Sequence, residues 1–389
     1  MRRTVYEPEH EDFRESVRAF LAREAIPHYE DWERGGIIPR RVYAAAGAAG
    51  FLGIDVPDRY GGVGVDDFRF NCVLIEECIY AGMASLCMGI SGQNDLCLPY
   101  IVQHGSEEQK QRWLPGLVAG ERLAALAMTE PGAGSDLAAI STTALRDGEE
   151  YVVSGSKTFI SGGINADLLI TAVKTDRAAG HRGVSLLVID AASPGVRRGR
   201  SLEKLGLHAQ DTTELFFDDV RVPVADRLAA EGAGFGAMMH NLAQERMAIA
   251  VMAVAAARAA LQWTLDYVRD RKAFGQPIGS FQNSRFALAE IKTEVDIAEA
   301  FLDRCVGALR EHELSPEDAA EAKWWCTELQ GRVVDRCLQL HGGYGYMLEY
   351  PIARAYADAR VTRIYGGTNE IMKEIVARSL GLRPPAAPT

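Results

Sequence analysis

Apolar positions in the first third of the chain recur at helical spacing. Phe13, Val17, Phe20 and Leu21 share one face and Pro27 follows, which predicts a first helix over roughly Glu9 to Ala25. Arg40 to Ala49, Asp66 to Ala81 and a stretch around Leu96 to Gln103 continue the pattern. Ser106 with Gln109 forms a capping box that opens another helix toward Leu117. From Leu123 the period shortens. Leu123 to Met128, Thr142 to Leu145, Tyr151 to Ser154, Thr158 to Ser161, Leu168 to Lys174, Val184 to Ile189 and Glu214 to Phe217 read as short strands punctuated by Gly, Asp and Pro. They predict an antiparallel β-barrel or sandwich that ends near Gly234. The remainder is helical again, in pieces much longer than an average helix: Phe235 to Asp270, Phe281 to Arg310, and Pro316, capped by Ser315, to Leu340. A shorter helix follows Tyr350, and Asn369 to Leu380 closes the pattern. The expected class is α+β and multidomain. An N-terminal helical domain spans 1–122, a central β domain 123–234 and a C-terminal long-helix bundle 235–389, with a disordered Pro-rich tail from about residue 383.

At 389 residues the chain exceeds one ordinary core. Lys+Arg 42 against Asp+Glu 53 gives a net charge of -11, which argues against non-specific binding to nucleic acid or to an anionic membrane surface. The apolar run Met247 to Ala257, bounded by Arg246 and Arg258, falls short of the roughly 20 residues of a bilayer span, so no membrane span is expected. The N-terminus has no apolar core segment and turns acidic at once, so a cytoplasmic location is expected. Cys72, Cys78, Cys87, Cys97, Cys305, Cys326 and Cys337 form no C-x-x-C pair and suit buried reduced thiols. His312-Glu313 starts like a zinc motif but has no second histidine, and no metal is implied.

Chemistry enters with A-M-T-E-P-G-A-G-S-D, Ala127 to Asp136, and K-T-F-I-S-G-G, Lys157 to Gly163. Gly132 and Gly134 leave backbone N–H groups open to a close-lying ligand, and the Thr129 and Ser135 hydroxyls can donate to ring heteroatoms or phosphate oxygens. Alone, the first loop reads as a Gly/Pro turn between strands. A dinucleotide fingerprint fits less well, because a third glycine is missing and the following residues read as strand.

With R-K-A-F-G (Arg271 to Gly275), Q-L-H-G-G-Y-G (Gln339 to Gly345) and I-Y-G-G-T-N-E-I (Ile364 to Ile371), the sequence resembles the acyl-CoA dehydrogenase flavoproteins, most closely their long-chain members. The resemblance implies helical, β and helical domains around FAD. It implies that Ala127, Met128, Thr129, Gly134 and Ser135, with Phe159, Ile160 and Ser161, hold the flavin ring. Arg271, Phe274 and Gln282 look like pyrophosphate and adenine contacts, with Gln339, Leu340, His341, Gly342 and Gly343 beside them, and Thr368, Asn369 and Glu370 near the flavin. Some of these contacts would come from a neighbouring subunit, implying a homotetramer. Ser135, Ala243, Gln244, Glu245, Arg246 and Gly367 match substrate contacts.

The family reaction needs a carboxylate over the substrate α carbon. Many members carry it directly after I-Y of the C-terminal motif, where this chain has Gly366. A second family pattern places it in an L-x-x-E-R motif, here Leu242 to Arg246 with Glu245 as the base, and Gly366 with Glu245 is the arrangement of the long-chain and isovaleryl enzymes. The Gly366 N–H would then donate to the thioester oxygen. Apart from the resemblance, Glu245 reads as a helix charge, and Glu349 and Glu370 are its rivals as base. The expected function is FAD-dependent α,β-dehydrogenation of medium- to long-chain acyl-CoA to trans-2-enoyl-CoA in β-oxidation of fatty acids, with electrons passing to an electron-transferring flavoprotein. The same chemistry on an acyl carrier protein, or a flavin oxidase or monooxygenase on this scaffold, are the alternatives.

Overall fold

The structure, a computed structural model, describes residues 3–382, so the Pro-rich tail from 383 lies outside the described residues. The leading helices are α1 (Pro8–Glu24), α2 (Tyr29–Gly35), α3 (Arg40–Ala48), α4 (Phe68–Tyr80), α5 (Ala84–Ser91), α6 (Leu98–His104) and α7 (Glu107–Val118). Strands β1 (Ala124–Ala127), β2 (Thr143–Asp147), β3 (Glu150–Ser161), β4 (Leu168–Lys174), β5 (Val184–Asp190), β6 (Val196–Ser201), β7 (Thr212–Pro223) and β8 (Arg227–Leu228) follow. Helix α8 (Gly234–Asp270) leads through a two-stranded ribbon, β9 (Lys272–Ala273) and β10 (Gln276–Pro277), to α9 (Gln282–Arg310), α10 (Pro316–His341), α11 (Pro351–Ala359) and α12 (Asn369–Ser379). Both capping boxes are present: Ser106 and Gln109 start α7, and Ser315 and Asp318 start α10.

Two compact units emerge, each assembled from stretches distant in sequence. One holds the chain up to Arg14, Ile75–Ala84 and everything from Leu242. The other holds Glu15–Leu74 and Ser85–Asn241. The division by chain order at 122/123 and 234/235 stands beside this as our proposal.

In the second unit the sheet runs β6-β7-β3-β2-β4-β5-β8, with β1 beside β4. It is mixed, not antiparallel as expected. β4 pairs in parallel with β1 and, at Thr143 with Lys174, with β2, pairings between distant residues that a local alternation pattern cannot reveal. The two short strands expected between Tyr151 and Ser161 are one strand, β3, which bulges between Val153 and Gly155 and again between Lys157 and Ile160. β4 is buried at every position because both of its faces are covered. Leu168 and Ile170 pack with Leu98, Trp113 and Leu117 from the helices, while Leu169 and Val173 pack with Tyr151, Val153, Leu215 and Phe217 of the sheet's other half. β6, V-R-R-G-R-S, escaped the sequence reading because an edge strand facing water carries charge where a core strand carries apolar residues.

Helices α8, which enters the first unit at Leu242, α9 and α10 are 37, 29 and 26 residues long. By length and composition α8 could cross a bilayer, contrary to the expectation from its short uncharged run. Some 78% of its most apolar window is nevertheless buried in the protein, so packing accounts for its apolarity. Arg14 fastens the N-terminal segment to α4 through Glu77 (2.6 Å) and Glu76 (3.1 Å). All seven cysteines are buried, and no disulfide joins any two of them.

The first β3 bulge has no room for a side chain. At Gly155, with φ 150°, a Cβ would lie 2.5 Å from Thr142 Oγ1 and 2.7 Å from its Cα. Gly155→Ala should therefore lower stability by about 1 to 3 kcal/mol, the usual cost of overpacking, in denaturant unfolding followed by circular dichroism. An unchanged midpoint would show that the bulge can absorb a methyl group.

Candidate active site

The loop after β1 is clamped from below by β3. Lys157, fully buried, donates from Nζ to the Met128 carbonyl (2.9 Å) and to Glu130 Oε1 (2.8 Å), and the next residue's N–H, Thr158, donates to the Thr129 carbonyl (2.9 Å). Glu130 also accepts from the Ser141 N–H (2.6 Å) and hydroxyl (2.7 Å) and from the Thr142 N–H (3.0 Å). Burial works against the Glu130 carboxylate, but the facing Lys157 ammonium and these donors hold it down to about 2. Burial pushes Lys157 down to about 8, against the pull of the facing Glu130 carboxylate. Paired backbone bonds between Glu130 and Ala133 (3.0 and 3.1 Å) close the turn above the clamp. Three consecutive residues, 128 to 130, are therefore fixed by two neighbours on one strand.

The second β3 bulge gives this clamp its counterpart. It turns Lys157 inward and sets Phe159 at φ 59°, a conformation uncommon outside glycine, leaving the residue 68% exposed. On the two loops so joined, Ser135 and Ser161 are exposed, and positions 132 and 134 face open space, with nothing within 4 Å of a Cβ. An exposed aromatic ring, hydroxyls and accessible loop backbone suit a planar heteroaromatic ligand. Ala127 and Ile160 are buried in the sheet core, so their side chains are structural and only their backbone can serve.

Further residues gather in the first unit. Arg271 lies over the Tyr344 ring at 5.3 Å, Phe274 is 95% exposed with φ 52°, and Gln282 opens α9. Gln339, Gly342 and Gly343 are exposed, and Leu340 is partly buried. His341 is not free to bind through its ring. It is buried, stacks on Tyr267 at 4.3 Å and bonds through Nδ1 to the Cys337 carbonyl (2.9 Å).

A separate constellation in the same unit joins α8 to the turn before α12. Glu245 and Arg246 are 5% and 6% exposed. One helical turn on from Glu245, Ile249 abuts Gly366, where a Cβ would run into Ile249 Cδ1. Tyr365 Oη reaches Met252 Sδ at 3.7 Å. Residues 245, 249 and 252 recur at the spacing of one helix face, so Glu245 lies on the α8 face that meets the Gly366 turn through Ile249 and Met252. Arg246 is buried with Nε lacking a hydrogen-bond partner among the described residues, and Ala243 and Gln244 are half-buried. Gly366 and Gly367 hold φ 63° and 90°. Thr368 caps α12 by accepting from the Ile371 N–H (3.3 Å).

Asn369 belongs to this framework instead of facing a ligand. It is 1% exposed, and its amide meets Lys323, Thr327 and Glu328. The rival bases Glu349 and Glu370 are exposed, and Glu370 sits at a helix start, where its own N–H and the Thr368 hydroxyl hold its carboxyl below the ordinary range. Neither has the sheltered setting of Glu245. Glu130, Lys157 and Lys323 were not foreseen. For Glu130 and Lys157 the signal was a charged residue in each of two motifs otherwise read only for their glycines and hydroxyls, whereas Lys323 lies in none of the quoted motifs.

Residues 7–121, 125–220 and 232–381 match the N-terminal, middle and C-terminal domains of the acyl-CoA dehydrogenases. The chain belongs to the acyl-CoA dehydrogenase family. It is 45% identical over 380 residues to the mitochondrial long-chain specific acyl-CoA dehydrogenase of Sus scrofa, covering 97% of this chain and 88% of that one. Among solved structures, an acyl-CoA dehydrogenase from Geobacillus kaustophilus is 50% identical with a TM-score of 0.94, covering 97% of this chain and 99% of that one. A glutaryl-CoA dehydrogenase from Mycobacterium smegmatis in complex with FADH2 is 27% identical with a TM-score of 0.92, covering 98% and 97%. This acyl-CoA dehydrogenase is thus an FAD-dependent oxidoreductase, and the exposed Phe159 ring with its open loop suits that cofactor.

If the Lys157 clamp holds the flavin seat, Lys157→Met strands a buried carboxylate beneath it. Stability should fall by about 3 to 5 kcal/mol in denaturant titration, the usual effect of breaking a buried ion pair, and the flavin-to-protein absorbance ratio should drop with it. Lost stability with full flavin would show that the clamp serves only the sheet.

Proposed function

We propose that this acyl-CoA dehydrogenase oxidises medium- to long-chain acyl-CoA to trans-2-enoyl-CoA, with Glu245 as the base that removes the α proton. The observation that carries this reading is the burial of Glu245 on the α8 face that meets the Gly366 turn. Bound FAD supplies the acceptor for the β hydrogen, which leaves as hydride. The chain's own work is then to take the proton at the Glu245 carboxylate and to meet the charge that develops on the thioester oxygen with the Gly366 N–H. Two carboxylates aimed at one α carbon would raise each other's proton affinity, which is one reason for glycine at 366. The positive φ at 366, with Ile249 Cδ1 against the same position, is a second.

Thr129, Gly134, Ser135, Phe159 and Ser161, with backbone from Ala127, Met128 and Ile160, would hold the flavin ring, and Ser135, Ala243, Gln244, Arg246 and Gly367 would line the substrate. Arg246 Nε, buried and unsatisfied, is a donor that a bound thioester or an ordered water would complete. Arg271, Phe274, Gln282 and the 339–343 segment would take the pyrophosphate and adenine. Lys323, at the Gly367 end of α10, lies 16 residues before Gln339, or roughly 24 Å of helix, so the two groups sit far apart within one chain. That separation supports a homotetramer in which a neighbouring subunit completes the cofactor site. The long-chain length preference follows the relative's name, and an electron-transferring flavoprotein as acceptor, a role in β-oxidation and a cytoplasmic location complete the proposal.

The test is stopped-flow reduction of the flavin by palmitoyl-CoA and octanoyl-CoA without oxygen. Glu245→Gln should retain FAD and bind both substrates, yet bleach about 10² to 10⁴ times more slowly, the range for a positioned general base. Bleaching at the wild-type rate would make Glu245 a structural carboxylate.

A further inference from the structure

Lys323 lies within α10 and is fully buried, a rare setting for an ammonium group. Its Nζ donates to the Gly367 carbonyl (2.7 Å) and to Asn369 Oδ1 (3.1 Å). Asn369 in turn donates to Thr327 Oγ1 and to Glu328 (both 3.0 Å), and Arg363 pairs with Glu328 at 3.2 Å. One buried polar cluster thus ties α10 to the turn that carries Gly366. The tie is costly. Burial, with added repulsion from Arg246 and against attraction from Glu370 and Glu328, drives the Lys323 ammonium down to about 7. For stability alone, an apolar side chain of the same volume would often serve as well.

What the cluster fixes is the least self-determined backbone in the site. Gly366 and Gly367 are consecutive glycines with positive φ, a pair with wide conformational freedom when nothing grips it. The ammonium grips the peptide plane that follows Gly367, and the Thr368 cap and Asn369 anchor the chain just beyond.

We propose that Lys323 is a positioning residue for the dehydrogenation: it holds the Gly367 carbonyl so that the Gly366–Gly367 turn presents the Gly366 N–H to the thioester oxygen. The inference rests on the proposed placement of the thioester at Gly366. It predicts that Lys323 acts on the acidity of the bound substrate beyond any effect on folding.

The experiment uses the holoenzyme and an acyl-CoA analogue with sulfur in place of the β-methylene. That analogue can lose its α proton to the base, the electron pair passing to the thioester oxygen, but it has no β hydrogen to give up. The pH at half-deprotonation is read from the long-wavelength absorbance of the bound enolate beside the flavin. In Lys323→Met it should rise by at least about one unit, a tenfold loss of enolate stabilisation, modest beside the 10² to 10³ seen on deleting an oxyanion donor. Lys323→Gln, whose shorter amide reaches one acceptor at most, should shift it less, and carries the test alone if the methionine variant does not fold. Amide hydrogen exchange of residues 366–368 in the flavin-free protein should also quicken in both. Faster exchange with an unmoved midpoint overturns the proposal by showing that the thioester is not at this turn. If neither changes, it is overturned because Lys323 does not hold the turn.

Discussion

Everything at the reacting end depends on how closely α8 approaches the turn before α12. Gly366 holds φ 63°, a conformation that disfavours a side chain, and Ile249 Cδ1 lies where one would begin, so both backbone and packing favour glycine at this turn. One helical turn earlier the same face offers Glu245, buried at 5% exposure. Helix geometry thus links the missing group and the present one. With Glu245 as the proposed base, a long core helix would also hold it more rigidly than a glycine turn, which matters where misplacement by about 1 Å can cost 10²-fold in rate.

The two units use one device to hold their functional loops. In each, a fully buried lysine donates to a backbone carbonyl of a glycine-bearing or proline-bearing loop and to a neighbouring polar side chain: Lys157 to Met128 and Glu130, Lys323 to Gly367 and Asn369. An ammonium offers three donors on a long stem, so it can gather a carbonyl and a side chain that no hydroxyl could reach together. Desolvation makes such a lysine expensive, pushing it to about 8 and about 7 respectively, and the hydrogen bonds must offset that cost. The result in both cases is a loop whose backbone is fixed by the protein's own side chains.

Much of this was legible in the sequence. Helical periodicity placed α1 and the long C-terminal helices within a residue or two, because those helices bury one face and expose the other. Motif matches pair Glu245 with Gly366, and the α8 face that carries Glu245 meets that turn through Ile249. The mixed sheet was not legible, since β1 and β4 pair in parallel across more than forty residues, from Ala124 to Leu168. Nor were the inward lysines, because a single charge in an amphipathic pattern reads as solvent-facing. His341 and Asn369 sit inside matching motifs, yet their side chains are occupied by Tyr267 and Cys337 in one case and by Lys323 and Thr327 in the other. A motif identifies a neighbourhood, and only packing decides which of its side chains remain available.

The central claim is that contact between α8 and the turn dictates where the base resides. Its most direct test is the anaerobic rate of flavin bleaching by octanoyl-CoA in Glu245→Gln carrying Gly366→Glu, compared with the same protein also carrying Ile249→Ala. The account predicts that the carboxylate at 366 restores little while Ile249 occupies its space, and clearly more once Ile249 is shortened. Full recovery with Ile249 intact would contradict it.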